Sequence, residues 1–223
     1  MIVKLKEVAM INFNHDSQGY VEATFRALTD ALLPNVTYHD SSFHVEESDL
    51  GVHNYMIYSL NHYVTIQKQL KQLTIPLSYP TALLLDAAAT QLVVRGELQP
   101  STKPQFPKGG MFSHLSKLDR LKTLTALENI ELDLYLLPAP FQNNAGLIKF
   151  ITDALNRFAL LGFYSEWSAY GTTRLYPPQE RRLEYFPISW EEVGYPGVAL
   201  GYRDFRGFLI TMVEVRGRND KKV

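Results

Sequence analysis

The sequence predicts an α+β protein built from two similar strand–helix–strand halves, duplicated ferredoxin-like units whose sheets are antiparallel or mixed. Three observations point there. The order strand, loop, helix, strand can be read twice along the chain. A short echo, LTDAL at Leu28–Leu32 and ITDAL at Ile151–Leu155, falls late in the helix of each half, and an aromatic stretch with an acidic residue follows each, VTYHDSSF and FYSEWSAY. Between the halves, Gln99 to Gly110 reads QPSTKPQFPKGG, with three prolines and two glycines in twelve residues, which is loop chemistry. The predicted organisation is an N-terminal half over 1–98, a connector over 99–112 and a C-terminal half over 113–223, with one compact domain as the alternative.

Val3 to Phe13 reads as the first strand and runs into the turn-rich NHDSQG. From Tyr20 to Leu33 the residues Val21, Phe25, Leu28 and Leu32 recur at helical spacing, with Asp16 or Ser17 available as a cap and Pro34 as the stop. NVTYHDSSF (35–43) then reads as a second strand. GVHNYMIYSLNHYVTIQKQLKQL fits two periods: Val52, Met56, Tyr58, Leu60, Val64 and Ile66 share one parity, whereas Tyr55, Met56, Tyr63, Ile66, Leu70 and Leu73 fit a helical stripe. Its β-branched and aromatic content favours extended structure as far as Ile66. Next, TALLLDAAAT reads as a short helix or strand and QLVVRGEL as a strand. Beyond the connector, Leu115, Leu118, Leu121, Leu124 and Leu127 mark an amphipathic helix, and NIELDLYLLP a strand with Ile130, Leu132, Leu134 and Leu136 on one face. After the QNNAG turn a helix is expected from Asn144 to Leu161, followed by strands at GFYSEWSAY and FLITMVEV.

Composition narrows the function classes. The 22 basic residues are balanced by 23 acidic ones, so no basic excess is present to neutralise a phosphate backbone, and nucleic-acid binding is disfavoured. The chain has no cysteine, which removes disulfides, thiolate metal sites and a cysteine nucleophile. The runs TALLLDAAATQLVV and ALNRFALLGF are broken by Asp86, Gln91, Asn156 and Arg157, so neither reads as a membrane span. No secretory leader pattern is visible either, and a cytoplasmic protein is expected.

No phosphate-binding glycine pattern follows a strand, and the PKGGMFS stretch sits in the proline-rich connector. His15, His39, His44, His53 and His62 crowd the first 62 residues, but no metal-ligand spacing joins them, and they read as ordinary polar or interfacial histidines. Neither a metal site nor a cofactor is predicted. No serine nucleophile carries a recognisable context.

One segment concentrates side chains suited to recognition. GFYSEWSAYGTTRLYPPQERRLEYF (162–186) holds tyrosines, a tryptophan, arginines and glutamates. As a strand, it puts Tyr164, Glu166 and Ser168 on one face and Phe163, Ser165 and Trp167 on the other, with Gly171 bending the register. Arginine grips carboxylates with two donors, and tyrosine and tryptophan give flat contact at low entropic cost. The expected ligand-binding set is therefore Tyr164, Glu166, Trp167, Tyr170, Arg174, Tyr176 and Glu184. The bland alternative is equally physical: the aromatics are core or a subunit interface, and the charges are solvated ion pairs. Three functions stay open on these residues. The first is binding of a small organic molecule, with or without a regulatory role. The second is an enzyme using a buried glutamate as general acid or base. The third is an assembly protein with an aromatic homo-oligomer interface.

Overall fold

In the computed structural model, residues 15–33, 50–64, 66–68 and 73–195 are described. They are predominantly helical, and this overturns the α+β expectation of two strand–helix–strand halves. Their extended pairing is confined to β1 (Ile66–Lys68) and β2 (Leu73–Ile75), antiparallel, with Ile66 opposite Ile75. The strand readings at 3–13, 35–43 and 208–215 lie outside the described residues.

Helix α1 spans His15–Leu32, so the helical period read from Tyr20 to Leu33 extends one turn further toward the N-terminus. Its buried residues Val21, Phe25, Leu28 and Ala31 recur at helical spacing. Helix α2, Val52–His62, corrects the extended reading of GVHNYMIYSLNHYVTI: the buried set is Val52, His53, Met56, Ser59 and Leu60, a helical stripe rather than one parity. Aromatic and β-branched residues are at home on any half-buried surface, and here that surface is a helix interface.

Helix α3, Ser78–Val94, absorbs both TALLLDAAAT and the QLVV expected to begin a strand. Its leucines and alanines are strong helix formers, and elongation costs little once a helix is nucleated. The helix ends in a Schellman motif: the Gly96 N–H donates to the Val93 carbonyl at 2.9 Å and the Glu97 N–H to that of Leu92 at 3.0 Å. Gly96 takes φ +77°, a conformation in which a Cβ is strained.

Helix α4, Lys117–Glu128, follows the leucine spacing, and Ser116 caps it by accepting from the Asp119 N–H at 3.2 Å. NIELDLYLLP is not a strand. Ile130 ends α4 with φ 59°, and Leu134–Leu136 form a single 3-10 turn. Its alternation breaks accordingly: Leu132 and Leu137 are buried while Leu136 is exposed. Helix α5, Ala145–Tyr164, is capped by Asn144, which accepts from the Leu147 N–H at 3.1 Å. It runs through Gly162, Phe163 and Tyr164, residues expected to open a strand.

By its internal contacts the chain divides into Met1–Pro187 and Ile188–Val223. In the first unit, α2 packs on α1, α3 and α5, and α4 packs on the same three helices. Phe25, Met56, Leu60, Leu84, Leu85, Phe112, Phe141 and Phe163 are fully buried there. Arg120 of α4 is buried among them, its guanidinium paired with Asp30 of α1 at 2.6 Å and donating to the Ala27 and Ser113 carbonyls at 3.1 and 3.2 Å. Asp86 of α3 ties the proline-rich connector to this core. It accepts from the Phe112 N–H at 2.8 Å and from the Tyr20 hydroxyl. In the second unit, short helix α6 (Ile188–Glu192) carries Trp190, whose ring meets Tyr195 edge-on at 4.8 Å.

Candidate functional site

The aromatic segment folds as a sequence of tight turns rather than a sheet. At the end of α5, Ser165 turns extended and its N–H still donates to the Leu161 carbonyl, 3.0 Å away. The Ser165 hydroxyl then accepts from the Trp167 N–H at 3.2 Å, which starts the next turn. Ser168–Thr173 form 3-10 turns broken at Gly171, where φ is 47°. Strand alternation therefore fails: Trp167, Ser168 and Ala169 are consecutive and all buried.

Trp167 anchors the segment. Its indole N–H donates to the Gly51 carbonyl at 2.9 Å, and its ring lies 5.2 Å from Tyr55 and 6.0 Å from Tyr58 of α2. The Arg181 guanidinium sits 5.2 Å from the Trp167 ring and 5.2 Å from that of Tyr58, so one cation bridges two aromatic faces. Arg174 turns back on its own loop, donating to the Trp167 carbonyl at 3.3 Å and to that of Ser168 at 2.9 Å. α2 and α5 can lie this close because Gly162 has no side chain; a Cβ there would come within 2.9 Å of Val52 and Tyr55.

The seven residues expected to bind a ligand are spread along this loop. Glu166 accepts from the Tyr170 hydroxyl at 2.7 Å, and burial together with that carboxylate pushes the Tyr170 phenol up. Glu184 is exposed and accepts from the Thr172 N–H at 3.0 Å and from the Thr172 hydroxyl, contacts that hold its carboxyl below the usual range. Tyr164 and Tyr176 are exposed. Thus the structure joins Glu166 to Tyr170 and Trp167 to Arg174, while Trp167 is packed between aromatic neighbours. None of the seven is among the lining residues of a cavity that opens nearby.

That cavity, about 490 Å³ in volume, is lined by α1, α2, the start of α3 and one residue of the aromatic segment. Gln18, Val21 and Glu22 come from α1, and Asn54, Ile57, Tyr58, Asn61 and His62 from α2. Pro76 and Ser78 precede and open α3, and Leu175 arrives from between Arg174 and Tyr176. Sequence reasoning missed these residues, although 18/21/22 and 54/57/58/61/62 each carry the spacing of one helix face. The α2 signal was legible only once that segment was read as helical.

Beside the cavity lies an unusual histidine. His53 is 1% exposed, and among the described residues neither of its ring nitrogens has a hydrogen-bond partner. Glu22 Oε1 is 4.0 Å from its Nε2, beyond hydrogen-bond reach, and is already paired with Arg26 at 2.8 Å. Burial, with the Arg26 and Arg174 charges nearby, pushes the imidazole down to about 3. Among the described residues no group of three or more histidines and carboxylates is placed to hold a metal ion, and no helix is long and apolar enough to cross a membrane. No family model, curated protein or solved structure matches this chain.

Proposed function

We propose that the protein binds a small organic molecule in the cavity between α1 and α2, with the aromatic segment forming part of its wall. The observation that supports this reading is the cavity itself: about 490 Å³, with Val21, Ile57, Tyr58, Pro76 and Leu175 as apolar lining and six polar residues interspersed with them. Ligand pockets combine this size with this mixture. The Trp167–Arg181–Tyr58 stack then has a positioning role, holding Tyr58 and the loop that carries Leu175. The test uses Nile red, an uncharged dye whose emission rises in apolar surroundings. Saturable enhancement is expected with the native chain, and Ile57→Trp, which fills the cavity from α2, should abolish it. Undiminished dye binding by Ile57→Trp would remove the reading.

Self-association is the second reading, favoured by a specific feature. Leu160, Leu161 and Tyr164 near the end of α5 are exposed, as are Tyr176, Leu183, Tyr185 and Phe186 beyond it. Large apolar side chains exposed in such density suit an interface between copies. Sedimentation velocity at micromolar concentration should then show a dimer or larger species, converted to monomer by Leu161→Glu. A strict monomer counts against it.

A further inference from the structure

The chemistry of the cavity wall says more than its volume. Three carboxamides line it, Gln18, Asn54 and Asn61. Each presents a donor and an acceptor side by side. The Asn61 carbonyl oxygen accepts from the Ser78 N–H at 3.1 Å at the start of α3, which fixes the orientation of its Nδ2 donors. Gln18 and Asn54 bring two further amides to the wall. Tyr58 adds an aromatic edge to the wall, its ring packed by His62 at 4.4 Å and by the Arg181 guanidinium at 5.2 Å.

Charge narrows the class further. No lysine or arginine is among the described lining residues, while the Glu22 carboxylate is. Arg26 is paired with that carboxylate at 2.8 Å, so the described wall offers no free cation to an anionic group. A ligand carboxylate or phosphate would lose part of its hydration there with no opposite charge in the described wall to replace it. An uncharged polar edge meets amides that can match it donor for acceptor.

Resting on the reading of this cavity as a ligand site, we infer that its ligand is a planar, uncharged heteroaromatic carrying an amide-type donor–acceptor edge, of the nucleobase or aryl-carboxamide class. The ring meets the edge of Tyr58 and the apolar side chains of Val21 and Ile57, and the polar edge bonds to Asn54 and Asn61. Phosphorylated or carboxylated forms of the same molecules are rejected.

The probes are nicotinamide and adenine as members of the class, nicotinate as the anionic isostere, and toluene as a ring without a polar edge. Each is titrated into the full chain, followed by the side-chain amide signals of Gln18, Asn54 and Asn61 in nitrogen–proton correlation spectra. Nicotinamide or adenine should shift these signals saturably, and nicotinate should bind at least about tenfold more weakly, a difference of about 1.4 kcal/mol. Asn54→Leu should weaken nicotinamide while leaving toluene binding intact, which also shows that the variant is folded. If toluene fills the cavity and neither nicotinamide nor adenine does, the ligand class is overturned and the cavity reading stands. Equal affinity for nicotinate and nicotinamide overturns the charge argument. If no probe, toluene included, perturbs residues of the cavity, both readings fall.

Discussion

His53 should make this protein sensitive to mild acid, in a way that one substitution can isolate. In the folded chain its imidazole is pushed down to about 3, against 6.5 for the free side chain. In the unfolded chain the ring takes up a proton below 6.5, while in the folded chain it stays neutral. The stability contributed by the depressed value is therefore fully present above 6.5 and declines as the pH falls from there toward 3. Each pH unit across that window is worth about 1.4 kcal/mol. Between about pH 7.5 and about pH 5 the loss is thus on the order of 2 kcal/mol, a sizeable part of the 5–15 kcal/mol typical of a folded domain. His53→Leu removes the titrating group and two buried nitrogens without a hydrogen-bond partner among the described residues, so its unfolding free energy should depend less on pH by that amount. Unfolding followed by tryptophan fluorescence at the two pH values, in the native chain and the variant, measures the difference directly. The remaining histidines titrate in both proteins and cancel. Equal pH dependence of the two, within about 0.5 kcal/mol, would refute the claim that the folded chain keeps His53 neutral.

Other substitutions probe the contacts that hold the first unit together. Arg120→Met strands the Asp30 carboxylate and removes a donor from the Ala27 and Ser113 carbonyls, and should cost about 3–5 kcal/mol in chemical denaturation. Asp86→Ala leaves the Tyr20 hydroxyl and the Phe112 N–H without their acceptor; a loss of about 1–3 kcal/mol is expected, together with faster proteolysis within residues 99–112. Trp167→Phe keeps an aromatic ring but removes the indole N–H donated to the Gly51 carbonyl, which retains the Asn54 and Tyr55 N–H groups as donors, so a loss of about 1 kcal/mol should appear in thermal unfolding. Gly171→Ala forces a Cβ into a left-handed conformation and against the Glu184 side chain, and hydrogen exchange in residues 168–184 should accelerate while α5 stays protected.

The parts of the fold legible in the sequence are those written in local chemistry. α1, α4 and α5 announce themselves by the spacing of their apolar residues, and Pro34 follows the Leu33 that ends the α1 pattern; but α1 begins at His15, so Asp16 and Ser17 lie inside it rather than capping it, and the caps Ser116 and Asn144 emerge only in the structure. The errors fall where one pattern serves two structures. VHNYMIYSLNH is rich in aromatic and β-branched residues and reads as extended, yet its buried positions recur at helical spacing against α1, α3 and α5. QLVV reads as a strand in isolation and becomes the last turn of a helix nucleated upstream. With those two readings lost, the appearance of a repeated strand–helix–strand unit loses its support; LTDAL closes α1 whereas ITDAL lies in the middle of α5, so the echo does not mark equivalent places in two helices.

The aromatic segment shows the same division. Its composition marked it as a place where something large is packed, and Trp167 is buried there. Whether its tyrosines and glutamates meet a ligand depends on where α2 lies, because Tyr55, Tyr58 and the Gly51 carbonyl are the groups Trp167 packs on. The cavity was illegible for a related reason: its wall draws residues from α1, α2, the start of α3 and Leu175, more than a hundred positions apart in the chain. Helix period, charge balance and the absence of cysteine are properties of neighbours and of composition, so the sequence alone determined them. The fate of the aromatic residues, the burial of His53 and the existence of the cavity were decided by tertiary structure. Hydrophobic burial is non-directional and rewards a ring equally in a sheet or between helices, so only the packing of distant segments chooses between them.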